Sequence, residues 1–528
     1  MSVGERAVVW GVLAAGIFLR AFCLDLFEFK TDELEGITRG LAAPAQHWWI
    51  GHGAVSSAHI PFGPAFSYIM GFFAEFSQNP YTLTGFIVLA NIIILLFSVL
   101  FFAEFSRDKG QFILCVLLFS LSPYSIIFSR KIWQPNLLLL FVIPLVLMIL
   151  RAGRNPRLYL PIGLLASIIV QLHHSGLFYM PLLVGFAVWA ELSKSIREAG
   201  ELGEHSHDPP GPESSAASKT TGRRDAALWA AAGFTVFIVF LIPYLTYLIH
   251  HFRQTGINQW ISGGISHLCV QGALKWVLFM ATGSDFWRYM FSGKAGYWDW
   301  PFFPLPGVVL IFCYFLIIPF LLGFWKYAQA AVRLAGPKSH GPTGPPDFKN
   351  LLCPLSIGYL FVVYCFILDH GRPHHYTVIL PFLILALSEG IIRLFESRKK
   401  WSKIGRELLY LGMVSYVLQY PFVLMYVNAN NGSPGEYGIS YREQKNAAKK
   451  IAVLAGRSEI SINPLAVYDE SSFSRKAELQ ETIAYICKTE FGTEVKFNSN
   501  PEPGAIELRL LKTGQKLHFE IGGNVKTK

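Results

Sequence analysis

The chain has 528 residues, of which 52% are hydrophobic, 15% aromatic and only 15% charged, with a formal net charge of +10 and a mean hydropathy of +0.39. Soluble proteins carry about a quarter charged residues, so composition alone excludes an ordinary water-soluble enzyme. Nucleic-acid binding is also excluded as the source of the positive charge, because most Lys and Arg lie in short segments between apolar runs rather than in one patch.

In chain order, the first apolar run, Val8 to Leu24, lacks a small-residue cleavage site and leads into an acidic segment, so it is read as a retained first helix. Runs long enough to cross a hydrocarbon core recur at 7–24, 82–104, 111–128, 136–150, 158–172, 176–192, 227–249, 306–325, 351–368, 376–394 and 408–427, about eleven spans in all. The stretch from Pro61 to Phe76 is apolar but short and carries Pro61, Gly63, Pro64 and Gly71. With that stretch kept out of the crossing count and the N-terminus inside, the inner segments hold 21 Lys and Arg and the outer connections hold 9. Letting 61–76 cross inverts every later loop and puts the basic ones outside, so it is read as a juxtamembrane or re-entrant helix. The inner loops 200–224 and 336–349, rich in Gly, Pro and other polar residues, are read as disordered.

After Val427 the composition changes. Asn428 to Gly438 is a polar linker; Gln444–Ala455 and Ala477–Lys488 read as helices, and Val495–Phe497, Ala505–Leu511 and Leu517–Ile521 as strands. The expected fold is therefore an all-α polytopic membrane domain over 1–427, with its first outer loop at 25–81, followed by a small α/β domain over 428–528 on the outer face. The seven cysteines show neither a disulfide framework nor zinc-ligand spacing.

Eleven of the fifteen histidines, among them His59, His173, His174, His374 and His375, fall on or near the outer side. Arg130, Lys131 and Arg372 join them, beside Asp25, Glu28, Asp32, Glu33 and Glu35. Ionisable groups at membrane depth normally line a cavity, although loops are polar in any protein. The sharpest local feature is Phe29-Lys30-Thr31-Asp32-Glu33. A carboxylate there can serve as a general base at the mouth of an apolar cavity, or the acidic residues can simply cap the helix that follows. Trp133 and the other outer tryptophans either stack on sugar rings or form an interfacial belt.

The Asp32-Glu33 pair just after the first span resembles the signature of the membrane-embedded GT-C glycosyltransferases, and within them the protein O-mannosyltransferase and aminoarabinose transferase branch. Three further stretches are similar to motifs of that family. Ser57-Ala58-His59-Ile60-Pro61-Phe62-Gly63-Pro64 resembles its His-Pro-Pro segment, and Ser122-Pro123-Tyr124 through Ser129-Arg130-Lys131-Ile132-Trp133 the end of its third span with the basic connection. Arg372-Pro373-His374-His375-Tyr376-Thr377-Val378-Ile379-Leu380-Pro381 resembles its late Arg/Lys…Tyr…Leu-Pro motif. The resemblance covers roughly residues 5–395.

It implies transfer of a sugar from a polyprenyl-phosphate carrier to a lipid, glycan or protein acceptor at the periplasmic face of a bacterial inner membrane. Asp32 is then the catalytic base with Glu33 beside it; Arg372, Arg130, Lys131, His374, His375 and Tyr376 bind the donor phosphate; His59, His173, His174, Trp133 and Asn136 line the substrate cavity. Asn136 stands where many relatives have an acidic residue. That departure puts metal assistance in doubt, so no cofactor is assigned and a divalent metal, with His59, His173, His174 and Glu33 as possible ligands, stays open. The rival readings are a transporter of lipid-linked saccharide without chemistry and a scaffold of an envelope complex.

Overall fold

The computed structural model describes residues 1–43, 50–55, 61–204, 214–255, 269–284, 286, 311–335, 349–366, 372–397, 403–433, 437–455, 460–462, 466–467, 476–497, 507–513 and 516–522. It is a helical structure with two small sheets near its C-terminus. The α-helices, numbered in chain order, begin with α1 (Val3–Ala21), α2 (Thr31–Leu41), α3 (Ala65–Ala74), α4 (Pro80–Phe105), α5 (Lys109–Ser120) and α6 (Pro123–Phe128). There follow α7 (Leu138–Ala152), α8 (Tyr159–Leu172), α9 (His174–Glu204), α10 (Ser214–Thr255) and α11 (Val270–Thr282). The last six are α12 (Ile317–Ala335), α13 (Lys349–Phe366), α14 (Leu380–Glu396), α15 (Lys403–Asn430), α16 (Tyr441–Ala455) and α17 (Lys476–Phe491).

Helices occupy the described parts of the eleven expected spans, apart from the turns at 22–23 and 121–122. Six stretches are long and apolar enough to cross a membrane: Pro80–Phe105, Gln134–Ala152, Asp225–Gln254, Phe312–Arg333, Pro373–Glu396 and Lys403–Asn430. The expected span at 111–128 is divided into α5 and α6, because Ser122 caps a new helix start and Pro123 takes its first position. The ambiguous stretch at 61–76 folds as α3, only 10 residues long. Such a helix is about 15 Å long, half a hydrocarbon thickness. The expectation of disorder over 200–224 needs correction: α9 continues to Glu204 and α10 starts at Ser214, since Ala, Glu, Lys and Arg on either flank are strong helix formers. The other expected disordered loop lies, apart from Lys349, outside the described residues.

The bundle is organised around α14. Leu380 to Glu389 are all buried, and the apolar residues among them meet other apolar residues on every side. Inside a membrane, helices associate through close backbone approach at small residues rather than through water exclusion. Here Gly323 of α12 and Gly390 of α14 make that approach: a Cβ on either would come within 1.7 Å of a carbonyl oxygen, Ala386 O or Pro319 O. A charge within the bundle needs partners. The buried Arg20 donates to Gly16 O at 2.8 Å, to Ser120 O at 2.9 Å and to Ser125 Oγ at 2.7 Å. At the far end of α14, Arg393 binds Glu389 one turn earlier, and Arg107 binds Glu396 at 2.8 Å.

Beyond α15 lies a small α/β unit. Helices α16 and α17 pack through Ala447, Ala448 and Ile451 against Leu479, Ile483 and Ile486, all buried. Its strands are β1 (Ile460–Ile462), β2 (Ala466–Val467), β3 (Val495–Phe497), β4 (Glu507–Thr513) and β5 (Lys516–Gly522). β1 pairs in parallel with β3; β2 pairs in parallel with β4, which forms an antiparallel hairpin with β5, Leu510 opposite Phe519. The three expected strands form with ends shifted by up to two residues. β1 and β2 are too short to leave a period-2 signature in sequence. The seven cysteines are free.

Candidate active site

Four connections far apart in sequence meet at one end of the bundle: the segment between α1 and α2, the turn between α6 and α7, the α8–α9 junction, and the 3₁₀ turn Pro373–Ile379 that begins the α14 span. At their centre is Lys131. Its ammonium lies 2.9 Å from Glu28 Oε1 and 3.1 Å from Glu33 Oε1, and Lys30 also binds Glu28, at 2.6 Å. Glu33 is wholly buried. Its Oε2 accepts the Lys30 backbone N–H at 2.8 Å, closing the first turn of α2 as a cap. Its Oε1 has the nearby ammonium charge but no hydrogen-bond donor in line.

The electrostatics follow from that geometry. Burial, and then repulsion from Glu28 and Asp32, push the Glu33 carboxyl up to about 7 against the pull of Lys131. Burial also works against ionised Glu28, but Lys131 and Lys30 outweigh it and hold this carboxyl below its usual range. Lys131 in turn is desolvated, yet Glu28 and Glu33 raise it well above an ordinary lysine. Two carboxylates around one ammonium thus take different protonation behaviour. Asp32, one residue from Glu33, is exposed, and among the described residues no hydrogen bond or ion pair holds its carboxylate. Its charge is nevertheless felt by both Glu33 and Lys131.

From Lys131 the site continues into rings. The ammonium lies over the Trp133 indole, 4.4 Å from its centroid. On Trp133 packs His374, at 4.3 Å, and His374 touches His375 at 4.2 Å. His173 joins both at 5.4 Å, and Phe62 stacks on His173 and on His174. Asn136 is buried and donates to Lys131 O at 2.9 Å, fixing the turn that presents the lysine. Arg372 is exposed at the rim, and its backbone N–H donates to His375 Nδ1 at 2.9 Å.

No protein-family model matches this chain, and no curated protein matches it. Among solved structures it is similar to the crystal structure of ArnT from Cupriavidus metallidurans bound to undecaprenyl phosphate. The two share 12% sequence identity over 97% of this chain and 94% of that one, with a TM-score of 0.46.

The other expected site residues sit less centrally. Arg130 is buried on the opposite side of the acidic segment, its guanidinium taken by the Tyr420 hydroxyl and the Cys23 carbonyl. Tyr376 is wholly buried against Tyr364, at 5.0 Å between rings. His59 lies outside the described residues.

By residue type a metal could be held by His173, His374 and His375, whose ring nitrogens come within 4.8 Å of one another. The hydrogen bonds argue otherwise. His375 Nδ1 accepts the Arg372 N–H, so the neutral ring carries its proton on Nε2 and offers a donor there, not a lone pair. The carboxylates Glu28 and Glu33 face the Lys131 ammonium instead of an open position. As they stand, these side chains do not fit a divalent metal.

Sequence reading singled out Glu28 only as one of several acids, quoted Lys30 and Phe62 within longer motifs without a role, and passed over Ser175. Ser175 Oγ lies 2.8 Å from His173 Nδ1 and orients that ring. The Phe62 contact is made across the fold, whereas Lys30 and Ser175 bond residues two positions away, and what gives those bonds a role is the Lys131 and His374 they help to place.

Proposed function

We propose that this chain is a glycosyltransferase that moves a sugar from a polyprenyl-phosphate carrier to an acceptor hydroxyl, with Asp32 as the general base. The observation that carries this reading is the exposed Asp32, without a hydrogen bond or ion pair among the described residues, beside a buried Glu28–Lys131–Glu33 network at the end of a membrane bundle. A base must reach the acceptor from water, whereas the lipid donor arrives from between the helices. In the reaction the acceptor oxygen bonds the anomeric carbon and passes its proton to Asp32. The bond from that carbon to the phosphate oxygen breaks, its electron pair stays on the phosphate, and the anomeric configuration inverts. Arg372 and Lys131 supply positive charge where the leaving phosphate gains negative charge. Trp133 offers a face on which a sugar ring can stack. Loop charge puts this end of the bundle on the extracytoplasmic side. Labelling of a cysteine introduced at position 215 only from the cytoplasmic side is the expected result, and labelling from outside overturns the orientation.

The function is tested by following a short-chain polyprenyl-phosphate sugar with the purified protein in lipid nanodiscs and an envelope extract as acceptor. Release of free polyprenyl phosphate with sugar appearing on the acceptor is expected. A protein that instead carries the intact lipid-linked sugar across sealed vesicles, without cleaving it, is a transporter.

Arg372→Lys separates a phosphate clamp from a headgroup anchor. The planar guanidinium grips two phosphate oxygens at once, as a compact ammonium cannot. Turnover is expected to drop about a hundredfold with Ala, as for loss of one donor to the developing oxyanion, and by a smaller factor with Lys. Wild-type turnover in Arg372→Lys removes Arg372 from the phosphate site.

A further inference from the structure

The backbone that leads into Asp32 and Glu33 runs extended from Phe27 to Lys30, and the carbonyls from Leu26 onward need partners. Three of these partners come from a segment some four hundred residues further on. The Tyr437 hydroxyl donates to Leu26 O, the Tyr441 N–H to Phe27 O at 2.9 Å, and the Gln444 side-chain amide to Phe29 O at 2.8 Å. Between them Glu28 and Ser440 form an antiparallel bridge. Rings lock the same contact: Phe27 stacks on Tyr441 at 4.6 Å, and Phe29 meets it edge-on at 6.0 Å. Two residues before this stretch, Asp25 is held by Arg442 through Nε and Nη2, at 2.5 and 2.9 Å.

Gln444 is fully committed. Its amide also donates to Ile439 O at 3.1 Å, and its Oε1 accepts from Thr482 of α17 at 2.8 Å. It therefore ties the acidic strand, the linker and the second helix of the C-terminal unit to one another. Gly438, at φ +70°, passes so close to Lys30 that a Cβ there would lie 2.9 Å from Lys30 Cε. Lys30 is the residue whose ammonium holds Glu28 and whose N–H holds Glu33.

We propose that residues 437–444, a short extended stretch running into the first turn of α16, are the missing partner of the acidic segment, and that the C-terminal unit positions the carboxylates of the site through Arg442 and Gln444. These two are positioning residues; neither touches the reacting atoms. The inference rests on the reading of Asp32 as base. An extended segment of four residues between two helices has no partner of its own and would sample many conformations. Docked against 437–444 it has one, and that one sets Glu28 and Glu33 on Lys131.

Arg442→Ala and Gln444→Met test this in the full-length protein, with Arg442→Lys as the conservative control. Two quantities are read: hydrogen exchange of the amides in 26–33, and kcat and KM for the lipid-linked sugar. Exchange in 26–33 is expected to quicken about tenfold, the effect of losing one buried hydrogen bond, while α14, α16 and α17 keep their protection. kcat should fall by a similar factor with KM for the donor unchanged, and Arg442→Lys should recover part of both. Wild-type protection of 26–33 in both variants overturns the proposal, and so does loosening of 26–33 that leaves kcat intact. Loss of protection in α16 and α17 as well, with no recovery in Arg442→Lys, shows a merely structural contact and also overturns it. The exchange arm needs no substrate: wild-type protein that never transfers sugar sinks the proposed function, while 26–33 still reports whether the strand is built by 437–444.

Discussion

Asp32→Asn is expected to slow sugar transfer by a factor of about a hundred to ten thousand, the usual cost of removing a general base. The amide keeps the size and most of the hydrogen-bonding capacity of the carboxylate but accepts no proton. Asp32 is exposed at the first turn of α2 and, among the described residues, holds no other group in place, so folding and donor binding should survive the change. Glu33→Gln is a useful contrast. Glu33 is buried and already bound to the Lys30 N–H, so its replacement should act through the position of Lys131 and the start of α2. The decisive measurement is single-turnover transfer by purified Asp32→Asn with donor binding checked in parallel. Transfer at the wild-type rate would take Asp32 out of the mechanism.

Lys131→Met is expected to cost both activity and stability. It leaves Glu28 and Glu33 buried with only Lys30 to neutralise them. Removing one partner of a buried ion pair typically costs about 3–5 kcal/mol, and the loss should depend on pH in a definite direction. In the wild type the folded-state value of Glu33 is raised from 4.5 to about 7. The folded protein therefore binds the extra proton across that window, and the contribution of this group declines as pH rises through it. Glu28, held below its usual range, acts oppositely: its contribution is present above the unfolded value and lost as pH falls. Without Lys131 both carboxyls lose the cation that favours ionisation, so both move upward. The melting-temperature deficit of Lys131→Met should then be small near about pH 5 and grow towards about pH 8. A deficit that is the same at both pH values would show that Lys131 acts by packing on Trp133, not by charge.

Much of the architecture was legible because membrane helices write themselves in sequence: twenty apolar residues are a thickness, not a pattern that context can override. Lys and Arg gave an orientation, and the short, Pro- and Gly-bearing run at 61–76 already argued against a crossing, as the 10-residue α3 bears out. The division of 111–128 at Ser122-Pro123 was visible in principle, since Ser followed by Pro is a helix start, but hydropathy averages over it. For the site, residue type on one face nominated Glu33, Lys131, Trp133, His173, His374 and His375, and the fold brings these six into one continuous cluster.

What the sequence could not separate is Asp32 from Glu33, two adjacent carboxylates of nearly the same chemistry. A helix turns about 100° per residue, so one faces water and the other the Lys131 ammonium, and only the packing of α2 decides which. Nor could it show that Arg130 is consumed by Tyr420 and Cys23 while Lys131, its neighbour, faces the carboxylates. The bond from Gln444 to Phe29 is the extreme case. Apolar length and loop charge are local quantities, summed along the chain, and they determined a helical membrane protein with its candidate site residues at one end. Which ionisable groups touch depends on contacts between residues a hundred to four hundred positions apart, and those are decided only when the helices pack.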